Sequence, residues 1–322
     1  MGEWHRLVQT IVDEVDRCIK LRADEAVTLN SLSRMLGFSE YYISRKFRDI
    51  SGMSFREYLR QRTLAFALKE VRDTKRGLLD IALDYGFSSH EAFSRSFKEA
   101  YGVTPSEYRQ NPVPVVLRTL IRPLDCYLIS TGGIGMDNSQ NDVKVYFVTI
   151  PAHKYLHIRN YESIGYWDFW EKQSKIPGQD CETICGLLDS VKGKLDDNGG
   201  TEQNSSSGQL MAFINEPTGR ICSWGIPLAE SYGVRLPADY DGEIPPQMQI
   251  MDVPEGEYIV FEHGPFDFET QNTAVEQKIE EAMKNFDYAA AGCRLDLTQG
   301  RVFYFYHDCE RFWKYVRPIV RL

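Results

Sequence analysis

The chain has 322 residues, 43% of them hydrophobic and 26% charged, which fits two cores of moderate size and excludes a disordered protein. No apolar run approaches the roughly 18 residues of a membrane helix, and residues 1–5 lack a charged-then-apolar leader, so a cytoplasmic protein with no membrane partner is expected. The net charge of −9 hides a split: up to Asn111, 18 Lys and Arg face 16 Asp and Glu, whereas the remainder has 19 against 30, so only the first part is suited to phosphates.

In chain order, Leu7, Val8, Ile11, Val12, Val15 and Ile19 recur at helical spacing and predict an amphipathic helix over about 4–22. Leu29, Leu32, Met35 and Leu36 make a short helix that Gly37 closes, and Ser39 can cap a third over about 40–50. That third helix turns Tyr42, Ile43, Phe47 and Ile50 inward and leaves Tyr41, Ser44, Arg45 and Arg48 on other faces, the pattern of a helix-turn-helix. The pattern then repeats. Gly37-Phe38-Ser39 returns as Gly86-Phe87-Ser88. With one more residue of offset, Ile43-Ser44-Arg45, Phe47-Arg48, Gly52 and Glu57-Tyr58 return as Phe93-Ser94-Arg95, Phe97-Lys98, Gly102 and Glu107-Tyr108. Between the two units, good helix formers from Phe55 to about Arg72 predict a rod some 26 Å long, able to set two recognition helices about one DNA turn apart.

Residues 4–110 resemble the AraC/XylS family of transcription regulators. The resemblance is carried by Gly37-Phe38-Ser39, Phe47, Gly52-Met53-Ser54-Phe55, Tyr58, Ile81-Ala82, Gly86-Phe87, Phe93 to Lys98, and Gly102 to Arg109. It implies that the second helix of each pair reads double-stranded promoter DNA, through Tyr41, Ser44 and Arg45 in the first unit and His90, Glu91, Ser94 and Arg95 in the second. Arginine suits guanine O6 and N7, Glu91 could accept from a cytosine amino group or simply pair with Arg95, and Arg48 and Lys98 are placed for phosphates.

Asn111-Pro112-Val113-Pro114 stops the helix, and Thr131 to Asp142 is rich in Gly and polar residues, so 112–142 is expected to be a linker between domains at 1–111 and 143–322. The second domain also repeats: Ile150-Pro151-x-x-x-Tyr155 matches Val253-Pro254-x-x-x-Tyr258, and Met211-Ala212-Phe213 matches Phe303-Tyr304-Phe305. Strands are predicted near 144–161, 210–215 and 221–228 with helices near 164–175 and 180–193, then strands near 247–262, 302–307 and 314–320 with a helix near 268–286. The fold class is therefore an all-α double helix-turn-helix domain followed by an α+β domain of two pseudo-twofold-related βαββ-type repeats.

Residues 143–322 resemble the GyrI-like effector-binding domain, on Ile150-Pro151-Ala152, Asp252 to Tyr258, Glu262 to Phe266, and Arg317-Pro318-Ile319. The resemblance implies a small-molecule sensor whose aromatic residues line a pocket. In members that bind cationic amphiphiles an acidic residue stands in a late strand; here that stretch is Phe303-Tyr304-Phe305-Tyr306. The effector residues expected are Tyr155, Tyr166, Trp170, Trp224, Tyr258, Glu262, Tyr304 and Tyr306.

The seven cysteines are scattered without a Cys-x-x-Cys pair, His153 and His157 find no third ligand nearby, and there is no phosphate loop or nucleophile elbow. No cofactor, metal or catalytic residue is expected. The reading is a transcription regulator with promoter DNA, a small aromatic or amphipathic effector and RNA polymerase as partners. The alternatives are a GyrI-like hydrolase using Glu262 with Tyr258 or Tyr304, and a constitutive regulator whose second domain senses nothing.

Overall fold

The computed structural model describes residues 2–21, 27–118, 120–121, 123, 143–197, 208–222 and 225–322. The chain divides into two compact units, one of Met1–Gly133 with Cys185–Lys192, the other of Ile134–Ile184 with Gly193–Leu322.

The first unit is helical: α1 (Gly2–Leu21), α2 (Leu29–Leu36), α3 (Glu40–Ser51), α4 (Phe55–Asp73), α5 (Leu78–Asp84), α6 (His90–Tyr101) and α7 (Pro105–Gln110). Local chemistry sets nearly every boundary. Thr28, Ser39, Ser54, Ser89 and Thr104 are N-caps whose hydroxyls accept a main-chain N–H from the first turn. Gly52 and Gly102 close α3 and α6 at φ of 77° and 78°, a conformation that costs glycine nothing. Two cores result, and α4 serves both. Phe55 and Tyr58 join Val8, Ile11, Val12, Val15, Ile43 and Phe47 around the first pair, while Leu64, Leu68 and Val71 join Ile81, Phe93, Phe97 and Tyr108 around the second. Tyr42 departs from expectation: it is 38% exposed and lies edge-on to Trp4, with ring centroids 4.9 Å apart.

A buried ion pair ties α1 to the middle of α4. Arg62 donates through Nε and Nη2 to the Asp16 carboxylate at 2.7 and 2.5 Å, and through Nη1 to the main-chain oxygen of Arg118 at 2.6 Å. Val113, Val115 and Leu117 pack on the second core, and Leu120 and Ile121 on the first. The described start of the expected linker therefore belongs to this unit, because its apolar residues bury better there than in water. Most of 122–142 lies outside the described residues.

The second unit is built on one antiparallel sheet with strand order β1-β6-β9-β8-β3-β4-β2-β5 and β7 added beside β9. The strands are β1 (Lys144–Ile150), β2 (His153–Asn160), β3 (Gln209–Ile221), β4 (Pro227–Pro237), β5 (Gln249–Val253), β6 (Gly256–His263), β7 (Cys293–Leu295), β8 (Val302–Asp308) and β9 (Phe312–Arg321). Helices α8 (Tyr166–Gln173) and α9 (Cys181–Ser190) follow β2, and α10 (Phe268–Asn285) follows β6. The strand expected at 221–228 straddles the end of β3 and the start of β4, so this strand is displaced to 227–237. Its burial explains the miss: Glu230, Ser231 and Arg235 are polar yet at most 6% exposed, which breaks the apolar alternation that announces a strand. One face of the sheet, with Ile259, Phe261, Trp313 and Tyr315, packs under Val275, Ile279 and Met283 of α10; the other gathers Tyr155, Tyr258, Val260, Tyr304 and Val316. Among the described residues no helix is long and apolar enough to cross a membrane.

Candidate nucleic-acid interface

Counting from the N-cap serine shows how closely the two recognition helices correspond. From Ser39 in α3 and Ser89 in α6, the fifth residue is Ser44 or Ser94, the sixth Arg45 or Arg95, the ninth Arg48 or Lys98, and the thirteenth the closing Gly52 or Gly102. The extra residue in the second unit lies in the turn, between Phe87 and the cap, so the helices themselves match without a gap. Ile43 and Phe47, and likewise Phe93 and Phe97, are at most 1% exposed. Burying these one-turn-apart pairs fixes the rotation of each helix about its axis and turns the arginines outward.

Arg45, Arg48, Arg95 and Lys98 are exposed, and none has a carboxylate within ion-pair distance among the described residues. Tyr41 is 75% exposed, and Ser44, His90 and Ser94 are half-buried. His90 Nε2 lies 3.5 Å from Ser94 Oγ. Glu91 does not pair with Arg95. Its carboxylate turns back to the start of α6, where Ser89 and its own main-chain N–H hold it below the usual carboxylate range. Neighbouring Lys46 is drawn away from the arginines, with Nζ 5.7 Å from the centre of the Trp4 ring and 5.8 Å from that of Tyr42. The result is four uncommitted cations on two equivalent helix faces, a form suited to polyanion grooves.

The family described as "Helix-turn-helix domain" matches residues 32–111. Regulatory protein SoxS of Salmonella typhimurium is 36% identical over 104 residues, which are 32% of this chain and 94% of SoxS. The chain belongs to the AraC family of DNA-binding transcription regulators. Probable transcription factor PqrA of Proteus vulgaris is 32% identical to this AraC-family chain over 107 residues, 33% of the chain and 88% of PqrA. Among solved structures, the C-terminal domain of AraT, a response regulator from Geobacillus stearothermophilus, is 27% identical and covers 33% of this chain and 84% of its own, with a TM-score of 0.29.

In the second unit of this AraC-family protein, the expected effector residues divide between the two faces of the sheet. Tyr155, Tyr258 and Tyr304 are each 0% exposed on the face away from α10, with ring centroids 6.0 Å apart for Tyr155 and Tyr304 and 6.2 Å for Tyr258 and Tyr304. Tyr306 is half-buried there, and Glu262 belongs to the same face by strand alternation. The Glu262 carboxylate accepts from Tyr146 Oη at 2.6 Å, rather than from Tyr258 or Tyr304. Tyr166 and Trp170 stand on α8 against Tyr232, whose side chain points opposite to those of Ser231 and Arg235, so they are not brought to the tyrosine cluster. Trp224 lies outside the described residues.

Sequence reasoning missed the polar partners of this face. His153 and His157 are 2% and 0% exposed, and Arg235 is 1% exposed opposite Tyr155. His153 Nδ1 meets the Pro151 carbonyl at 2.8 Å, so that nitrogen is the donor and Nε2 accepts from Tyr304 Oη at 2.5 Å. His157 Nδ1 likewise meets the Tyr155 carbonyl at 3.0 Å, while its Nε2 faces the Arg159 guanidinium at 2.8 Å. Burial lowers both imidazoles from 6.5 to about 4, so both are neutral near pH 7. Each histidine is hydrogen-bonded by its own neighbours. The one signal available in the sequence was polar residues at inward-facing positions, legible only after β2 and β4 had been registered.

Proposed function

We propose that this protein is an effector-responsive transcription regulator: residues 1–111 grip double-stranded promoter DNA through two helix-turn-helix units, and residues 143–322 form a GyrI-like sensor. The observation that carries the first half is the placement of Arg45 and Arg95, each exposed and each six residues beyond its N-cap serine. Tyr41, Ser44, Arg45, His90, Ser94 and Arg95 are read as base contacts and Arg48 and Lys98 as phosphate contacts, with Glu91 serving chiefly to cap its own helix.

Support for a pseudo-twofold sensor comes from the strand order. Exchanging β1 with β5, β2 with β6, β3 with β8 and β4 with β9 returns the same order in reverse. The register follows: Ile150 pairs with Gly256 as Val253 pairs with His153, and Ala212 faces Tyr304 at the midpoint. On this reading Tyr155, Tyr258, Tyr304, Tyr306 and Glu262 belong to the sensing face, and the chain is a regulator in the cytoplasm rather than an enzyme, with RNA polymerase the second macromolecule it meets. A small molecule acts by favouring one of two states with different DNA affinity.

The test is binding of the full-length chain to its own upstream DNA over a range of salt, with and without aromatic compounds. Specific, salt-sensitive binding that a compound shifts is expected. Absence of specific binding would refute the regulator, and specific binding that no compound shifts would refute the sensor.

A further inference from the structure

We infer that the effector of this domain is an anion, the carboxylate of a small aromatic acid, held at Arg235. The inference rests on the sensor reading above and names the charge its ligand must carry. Arg235 stands on β4 opposite Tyr155, is 1% exposed, and lies over the Tyr304 ring with its guanidinium carbon 5.6 Å from the centroid. Its Nη2 donates to the main-chain oxygen of Asp196, the guanidinium also engages the Tyr306 side chain, its Nε has no hydrogen-bond partner, and no carboxylate is within ion-pair distance of it among the described residues. The guanidinium is thus a buried positive charge with no carboxylate in direct contact.

The neighbouring groups do not supply one. Asp197 is occupied by Arg311 at 2.9 Å and Lys314 at 3.1 Å, and Glu262 by Tyr146 at 2.6 Å. Two hydroxyls of this face are already engaged. Tyr304 donates to His153, and Tyr155 donates to Ser231 Oγ at 3.2 Å, because Ser231 itself donates to the Ala212 carbonyl at 2.9 Å. Tyr258 Oη, 0% exposed on the same face, has no partner. The unmet groups are therefore an N–H and an O–H, both able to donate, and they are walled by phenol rings. A carboxylate on an aromatic skeleton answers that set: its oxygens accept, its charge neutralises Arg235, and its ring packs on Tyr155, Tyr258 and Tyr304. A lipophilic cation meets the wrong sign. Of the four tyrosines Tyr306 alone is partly exposed, so the ligand approaches from its side.

The experiment uses one skeleton in three charges: phenylbutyrate, phenylbutanamide and phenylbutylamine, titrated calorimetrically into the full-length protein. The acid is expected to bind roughly tenfold or more tightly than the amide, the scale of losing a charge-assisted bond, and the amine not at all. Arg235→Gln should abolish the preference for the acid, Arg235→Lys should keep it, and Tyr258→Phe should weaken the acid a few-fold. If Arg235→Gln fails to fold, the three compounds on the unaltered protein decide alone. Equal binding of acid and amide, tighter binding of the amine, no binding of any of the three at millimolar concentration, or an unchanged preference in a folded Arg235→Gln would each overturn the inference. The same titrations repeated with operator DNA separate the two readings. Acid that binds without altering DNA affinity upholds the anion site and removes the sensor, whereas amine that binds and alters DNA affinity keeps the sensor and removes the anion site.

Discussion

The Asp16 to Arg62 pair offers a test of what holds the DNA-binding unit together. Both side chains are 9% exposed, and the two bonds at 2.5 and 2.7 Å are a parallel fork between guanidinium and carboxylate. Asp16→Ala removes both bonds and leaves a buried cation with the Arg118 carbonyl and the face of the Phe66 ring but no counter-ion in contact, so the loss should be about 3–5 kcal/mol, a large part of the ~5–15 kcal/mol that stabilises a typical domain. At about 4 °C per kcal/mol for a unit of this size, the transition should fall by roughly 12–20 °C. The double replacement Asp16→Leu with Arg62→Leu removes both charges at once and should cost about 1 kcal/mol or less, giving a coupling of at least ~2 kcal/mol. The assay is scanning calorimetry of the full chain, following the transition that added DNA raises. Single losses below about 1 kcal/mol, or losses that simply add in the double variant, would refute the reasoning.

Arg45→Ala and Arg95→Ala should each weaken operator binding by about 1–3 kcal/mol and relax base preference at one position, whereas Arg48→Ala or Lys98→Ala should weaken all sequences alike and lower the salt slope by about one; footprinting and salt titration distinguish the two patterns. His153 and His157 make the second unit acid-sensitive. Because burial holds them at about 4 against 6.5, the unfolded chain takes up their protons first as pH falls. Their contribution is complete above pH 6.5 and is lost between 6.5 and 4, at about 1.4 kcal/mol per pH unit for each histidine. Urea titrations across that window check it, and His157→Gln should reduce the slope by one proton. Gly233→Ala should destabilise the sheet by about 3 kcal/mol, since the added methyl would collide with the main-chain oxygen of Leu156 and the Cα of His157; a melting temperature equal to the parent's would contradict that packing.

Most of the helical unit was legible in the sequence because its determinants are local. Caps, closing glycines and apolar residues three and four apart announce each helix, and an internal repeat announces the pair. The recognition arginines follow from the same logic: once Ile43, Phe47, Phe93 and Phe97 are assigned to the core, the outward face of each helix is settled by geometry. The sheet was different. Its long pairings, β1 with β6 and β5 with β2, join segments about a hundred residues apart, and a strand's partner leaves no mark in its own sequence. Register alone decides that Tyr155, Tyr258, Tyr304 and Tyr306 share a face while Tyr166 and Trp170 do not. It also places Arg235 and two histidines among the phenols, since a polar residue reads as solvent-facing until a neighbouring strand covers it. The sequence by itself thus determined the two helix-turn-helix units and the residues they present. Only the tertiary structure decided which side of the sheet each aromatic ring occupies and that the charge buried beside the tyrosines is positive, because non-local pairing, not local propensity, sets both.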